Sequence, residues 1–266
     1  MIFHVTDRTD RLKNQMVRLM LEALDCAPSD VWLITPWLKN VEFDIRSLGP
    51  YRSVFGTHRE SVTLKDLLRL LGQKHLIHVI VKPPHELVTL PALAEYQLTA
   101  EQVRRVQANE DMDFDLQDEV LRGLRERSTE LKREFLNHAD TVLFAEELAQ
   151  LGAQVSYRDA LHAKLLWLPS GALFGSANFT NGGLAYNAEL VAEVRSDEPL
   201  DGLRAAAEEF LAHSWRRNQY DLTDRDMVPK KRTLPSADFF ALANHPTVAN
   251  EAAFKPLLDA LAGFYR

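Results

Sequence analysis

Cysteine is almost absent: Cys26 is the single one in 266 residues. An intramolecular disulfide and a cysteine-built zinc site are therefore excluded. Cys26 falls near the end of an apolar helical pattern and reads as a small core residue. No run of about 18 apolar residues occurs, so no membrane span is expected. Met1-Ile2-Phe3-His4 lacks the basic-then-apolar order of a secretory signal, which makes a cytoplasmic protein without a membrane partner the expectation. Excess positive charge is missing too. With a net charge of −7, the chain is not one that coats nucleic acid through bulk charge, though a local basic cleft is still allowed. There is neither an internal repeat of fixed period nor a low-complexity tract.

What is present is material for a core, 46% hydrophobic residues, arranged as alternating helices and strands. Leu12, Met16, Leu19, Met20 and Ala23 recur at helical spacing over 7–27, and Val31-Trp32-Leu33-Ile34-Thr35 reads as a buried strand stopped by Pro36. After a loop rich in Arg, Gly and Pro, Thr63 with Asp66 forms a capping box for a helix over 64–71. A strand over 76–81 follows, closed by Pro83-Pro84. This alternation predicts an α/β fold with a mixed β-sheet flanked by helices. Residues 91–137 interrupt it as a charged helical insertion whose Arg122, Arg125 and Arg133 lie on a solvated face. A helix from about Asp140 ends at Gly152, and strands are expected at 154–157, 161–168, 171–175 and 188–194, then a helix at about 199–214. The expected organisation is a domain over 1–215 and a helical C-terminal appendage over 216–266, with helices near 236–243 and 250–264.

Within that order, Leu161-His162-Ala163-Lys164 puts two polar side chains two residues apart, hence on one face of an extended segment. Beyond the turn at Pro169-Ser170-Gly171 the chain returns to Gly175-Ser176-Ala177-Asn178, where the same spacing repeats. Pairing as a hairpin would bring all four polar groups to one end of the sheet. An imidazole can attack phosphorus, a lysine neutralises non-bridging oxygens, and hydroxyl and amide donors complete a cradle, so the set suits phosphoryl transfer without a metal or other cofactor. Gly175 is expected to let backbone approach the phosphate, and Asn178-Phe179-Thr180-Asn181-Gly182-Gly183 to form a turn-rich exit.

His162-x-Lys164 followed by Gly175-Ser176-x-Asn178 resembles the HxK…GSxN signature of the phospholipase D superfamily, with the family's separation between the halves. The resemblance is strong over 160–195 and reaches 28–215 as strand–helix order. It implies a phospholipase D-like fold and a catalytic set of His162, Lys164, Ser176, Asn178 and Glu189, the last matching the acidic residue that orients the nucleophile. Pro169 replaces the aspartate that closes the family's motif. That aspartate is mainly structural in the family.

His78, His85 and His138 have no Gly-Ser-x-Asn partner, so the chain carries one half-site, and single-motif relatives complete theirs as homodimers. Such relatives are commonly nucleases. A nuclease acting on DNA or RNA is accordingly the expected activity, with Arg46, Arg52, Arg59, Arg216, Arg217 and Lys230 to Arg232 as candidate phosphate contacts. A looser resemblance joins the chain to phospholipase D-like proteins of bacterial DNA-modification and phage-defence gene clusters, which implies partner proteins of a defence complex. The rival reading is an inactive nucleic-acid-binding or scaffolding subunit of such a complex. His4, His58, His75, His213 and His245 read as surface or locally hydrogen-bonded residues. Trp32, Trp37, Trp167 and Trp215 read as packing residues, Trp37 excepted because it follows a strand end, where α/β proteins collect ligands.

Overall fold

A computed structural model of the chain describes residues 1–6, 8–55, 59–216 and 236–265. The strands are β1 (Ile2–Thr6), β2 (Asp30–Ile34), β3 (Glu42–Asp44), β4 (Ser61–Thr63), β5 (Leu76–Val81), β6 (Gln154–Tyr157), β7 (Leu165–Leu168), β8 (Gly171–Gly175) and β9 (Glu189–Val194). The helices are α1 (Arg11–Ala23), α2 (Leu64–Leu71), α3 (Pro84–Leu87), α4 (Leu90–Gln107), α5 (Phe114–Leu136), α6 (Ala139–Gln150), α7 (Asp197–Ala212), α8 (Ser236–Ala243), α9 (Pro246–Ala249) and α10 (Lys255–Ala262). The chain divides into two compact units, 1–83 with 144–222 and 84–143 with 223–266.

The first unit is built on a mixed seven-stranded sheet in the order β1-β9-β8-β7-β2-β5-β6. β2, β5 and β6 run parallel, and every remaining pair is antiparallel. This is the α/β mixed sheet that the alternation predicts. The buried stripe of α1, Leu12, Met16, Leu19 and Met20, packs on the sheet. A second apolar cluster joins Trp32, Ile34, Leu165, Trp167, Ala172 and Val194 to Leu200 and Ala207 of α7. The capping box at α2 is present in both directions: Asp66 N–H donates to the Thr63 hydroxyl and the Asp66 carboxylate accepts from Thr63 N–H at 3.1 Å.

Three departures from the sequence reading concern strands. β7 starts at Leu165, not 161, so His162, Ala163 and Lys164 precede the strand. The neighbouring strand runs out there. The β2–β7 ladder ends at Ile34↔Leu165, and Thr35 turns its N–H to the Ile80 carbonyl before Pro36, which has no N–H to give. β1, to which the sequence reading assigns no element, and the β3–β4 hairpin, which falls in the stretch read as a loop, are the other two. β3 and β4 have three residues each, too few to show a period of two. In β1, Ile2, Phe3 and Val5 are exposed, which blurs the alternation that marks a half-buried strand.

The second unit joins the helical stretch read as an insertion to the tail read as an appendage. The Phe254 ring lies edge-on to both Tyr96 of α4 and Phe135 of α5, at 4.9 and 5.0 Å. Glu251 accepts from Lys132 at 2.8 Å and from the Tyr96 hydroxyl at 3.2 Å. Phe239 stacks on Tyr265 at 4.5 Å.

His75 is buried, not superficial. It accepts the Ser29 N–H at 3.2 Å, and its Nε2 bonds the Ala23 carbonyl at 2.9 Å, tying the end of α1 to the start of β2. Trp32 and Trp167 are buried as expected, and Trp37 is half-buried. His58, Arg217 and Lys230 to Arg232 lie outside the described residues.

Candidate active site

β2 and β8 run in one direction, β7 and β9 in the other. The carboxyl ends of β2 and β8 therefore share one sheet edge with the amino ends of β7 and β9. His162 and Lys164 enter β7 at this edge, Ser176 and Asn178 leave β8 there, and Glu189 opens β9. The β7–β8 pairing reaches the motif through the Gly175 N–H to the Lys164 carbonyl, 3.2 Å, and the β8–β9 pairing through the Ser176 N–H to the Leu190 carbonyl, 3.1 Å. The topology thus gathers the five sequence-predicted residues from three adjacent strands.

Their side chains have different environments. The His162 imidazole is exposed and makes no side-chain hydrogen bond among the described residues. Lys164 is half-buried and its ammonium donates to the His162 carbonyl at 2.7 Å, folding back over the backbone of the histidine two residues earlier. The Ser176 hydroxyl donates to Glu189 and accepts the Leu190 N–H at 3.0 Å. Asn187 Nδ2 reaches the other Glu189 oxygen at 3.5 Å. The bond expected between Glu189 and His162 is not formed. β8 stands between β9 and β7, so two strand spacings, about 10 Å of backbone, separate them, and Ser176 takes the carboxylate first. Asn178 Oδ1 is buried without a hydrogen-bond partner among the described residues.

Two glycines hold this arrangement together. A Cβ on Gly175 would lie 2.2 Å from the Leu190 carbonyl oxygen. Its smallness thus serves the approach of β9, where the sequence suggested an approach to phosphate. A Cβ on Gly183 would lie 2.4 Å from the Asn178 carbonyl oxygen and 2.7 Å from its nitrogen. The turn-rich exit expected over 178–183 runs into a single π-helical turn, Gly182–Tyr186, seated on the Asn178 backbone; such turns often sit at functional sites. It is closed by Leu184 N–H to the Thr180 carbonyl and Asn187 N–H to the Gly182 carbonyl, 2.9 and 2.8 Å.

Pro169 is remote from this edge. It belongs to the β7–β8 turn at the other end of the hairpin. There Ser170 donates to the Leu19 carbonyl at 2.7 Å, and Gly171, at φ 149°, faces the Val194 carbonyl.

A cleft of about 780 Å³ is lined by Arg46, Arg52 and Arg59 together with Asn181 and Tyr186 of the motif's exit. Arg46 is committed to Asp44, with Nε at 3.0 and 2.9 Å from its two oxygens. That guanidinium holds the Asp44 carboxyl down at about 2. Arg59 pairs with Asp66 at 3.3 Å, and Glu42 and Glu60 also line the cleft, so its charge is mixed. Asn181 belongs to the exit quoted from sequence, whereas Tyr186 and Lys13 were not singled out there, since nothing local distinguishes them.

No family model and no curated protein matches the chain. Solved structures do. NucT from Helicobacter pylori is similar at a TM-score of 0.38 and 9% identity, over 80% of this chain and 96% of that one. Nuc from Salmonella typhimurium, a phospholipase D family member, has a TM-score of 0.37 and 9% identity, over 80% and 95%. TrmBL2, an archaeal chromatin protein, has a TM-score of 0.36 and 6% identity, over 80% of this chain and 53% of that one. Among the described residues no helix is long and apolar enough to cross a membrane.

Proposed function

We propose that the chain is a cytoplasmic, metal-independent phosphodiesterase of the phospholipase D type, working as a homodimer and cleaving nucleic acid. The observation that carries this reading is the convergence of His162-x-Lys164 and Ser176-x-Asn178 on one sheet edge, with the imidazole exposed and unbonded among the described residues. In the proposed reaction, a neutral His162 nitrogen forms a bond to phosphorus while the bond to the leaving oxygen breaks. The leaving oxygen takes a proton from the symmetry-related His162. Water then attacks phosphorus, gives its proton to that second histidine, and breaks the P–N bond. Lys164 and the Asn178 amide stabilise charge on the non-bridging oxygens. Glu189 acts through Ser176, whose hydroxyl it holds.

Pro169 is compatible with activity because the turn it occupies is docked on α1, a full strand away from His162. One observation favours the inactive binding subunit instead: among the described residues no carboxylate bonds the imidazole to fix its tautomer. Labelled single- and double-stranded DNA and RNA, incubated in EDTA with the wild type and with His162→Ala, separate the two. Cleavage by the wild type alone is expected. Binding without cleavage, or equal cleavage by both, overturns the proposal.

A further inference from the structure

The sheet edge that carries the motif continues past His162. β7 is followed by β2 and then β5, whose carboxyl ends open on the same edge. Beyond β2 the chain turns through Thr35, Pro36 and Trp37, and the turn is fixed twice. The Thr35 hydroxyl donates to the Trp37 carbonyl at 3.0 Å, and Lys39 N–H donates to the Phe179 carbonyl at 3.0 Å. The isolated parallel bridge Leu38↔Phe179 sets Trp37 alongside Asn178. The segment after β2 is thus laced to the second half of the motif across the mouth of β7. Lys82, the residue after β5, brings its ammonium to 6.0 Å from the centroid of the Trp37 ring. Both side chains are half-buried.

We infer that Trp37 and Lys82 form a subsite for the nucleotide flanking the scissile phosphate, the indole stacking on its base and the ammonium meeting the next phosphate. The inference rests on the reading that this edge acts on nucleic acid, and it selects among phosphodiesters. Stacking on an indole accepts any base, since every base has a π-face. A lysine one strand further on tracks the backbone by charge. A quaternary ammonium headgroup, the usual guest of an exposed indole, would meet the Lys82 ammonium already over the ring and be repelled.

The test uses the full chain carrying His162→Ala, so that nothing is consumed. Fluorescence anisotropy follows a short labelled thymidine oligonucleotide and an abasic phosphodiester chain of equal length, in the presence or absence of Trp37→Ala, Trp37→Phe and Lys82→Ala. Trp37→Ala should weaken the thymidine oligonucleotide about tenfold and leave the abasic chain unchanged, and Trp37→Phe should restore most of the loss. Lys82→Ala should weaken both and reduce the slope of log affinity against log salt by about 0.7. Equal loss on both chains in Trp37→Ala, no loss in either variant, or no oligonucleotide affinity at all overturns the inference. So does phosphocholine displacing the oligonucleotide at lower concentration than inorganic phosphate does. If the wild type cleaves nothing while the base-dependent loss persists, the catalytic reading falls and the subsite stands.

Discussion

Ser176 and Glu189 are bonded side chain to side chain across the β8–β9 edge, and the same serine oxygen accepts the Leu190 N–H. The Glu189 carboxylate therefore bonds the residue that leaves the strand beside it, and the His162 imidazole is left exposed. Acting as one unit, the two residues should fail as one. Glu189→Gln and Ser176→Ala should each lower kcat by on the order of 10²-fold with KM little changed. The double variant should be no worse than either single one. Steady-state kinetics of the three variants decide it: additive losses would show that Glu189 and Ser176 contribute separately.

The proposed intermediate is a phosphohistidine, labile in acid and stable in mild base. Rapid denaturation during turnover of labelled substrate should trap the label on His162. A label on Ser176, or turnover that vanishes in EDTA and returns with a divalent cation, contradicts the mechanism.

Because one chain carries one motif, the active species should have twice the mass of a single chain in sedimentation. Activity should fall more steeply than concentration once dilution separates the copies. An active monomer would refute the shared site.

Gly183→Ala should be far more harmful than an ordinary glycine-to-alanine change. The added methyl would meet the Asn178 backbone inside van der Waals contact, so Asn178 or the π-helical turn must shift. A displacement near 1 Å can cost on the order of 10²-fold in rate. Oligonucleotide cleavage, read beside thermal unfolding, checks it: strong loss of rate with a small change in Tm is expected.

Glu193 is 1% exposed, bonded to His4 at 2.7 Å and to Arg195 at 2.5 Å. Burial opposes its ionisation, but the hydrogen bonds from Arg195 and then His4 outweigh burial and hold its carboxyl below the usual range. Its folded-state value is thus lower than its unfolded one. The stability it contributes is full above the unfolded value of 4.5 and is lost as pH falls through the folded one. Glu193→Gln should destabilise the protein at neutral pH by about 3 kcal/mol and flatten the acid limb of stability against pH. An unchanged acid limb in urea titrations would show that Glu193 does not carry it.

The fold class was legible because its signals are local. Pro36 and Pro83 stop strands, Thr63 and Asp66 cap a helix, and long apolar runs mark the buried strands. The motif was legible because both halves keep a two-residue spacing. What escaped depends on contacts distant in sequence. No pattern near Glu189 says that Ser176, thirteen residues earlier, takes its carboxylate before a histidine can. Gly175 reads as an opening for phosphate until Leu190 is seen against it. His75 reads as a surface or locally hydrogen-bonded residue because its partners, Ala23 and Ser29, lie 52 and 46 residues away.

The aromatic contact of Phe254 with Tyr96 and Phe135 bears on how the gene is handled. A protein cut back to end near residue 216 retains every strand of the sheet but strips α4 and α5 of the ring that covers them. Tyr96 and Phe135 would then face water as a sticky apolar patch. Shortened versions should precipitate for a reason unrelated to the motif, and their inactivity would say nothing about it.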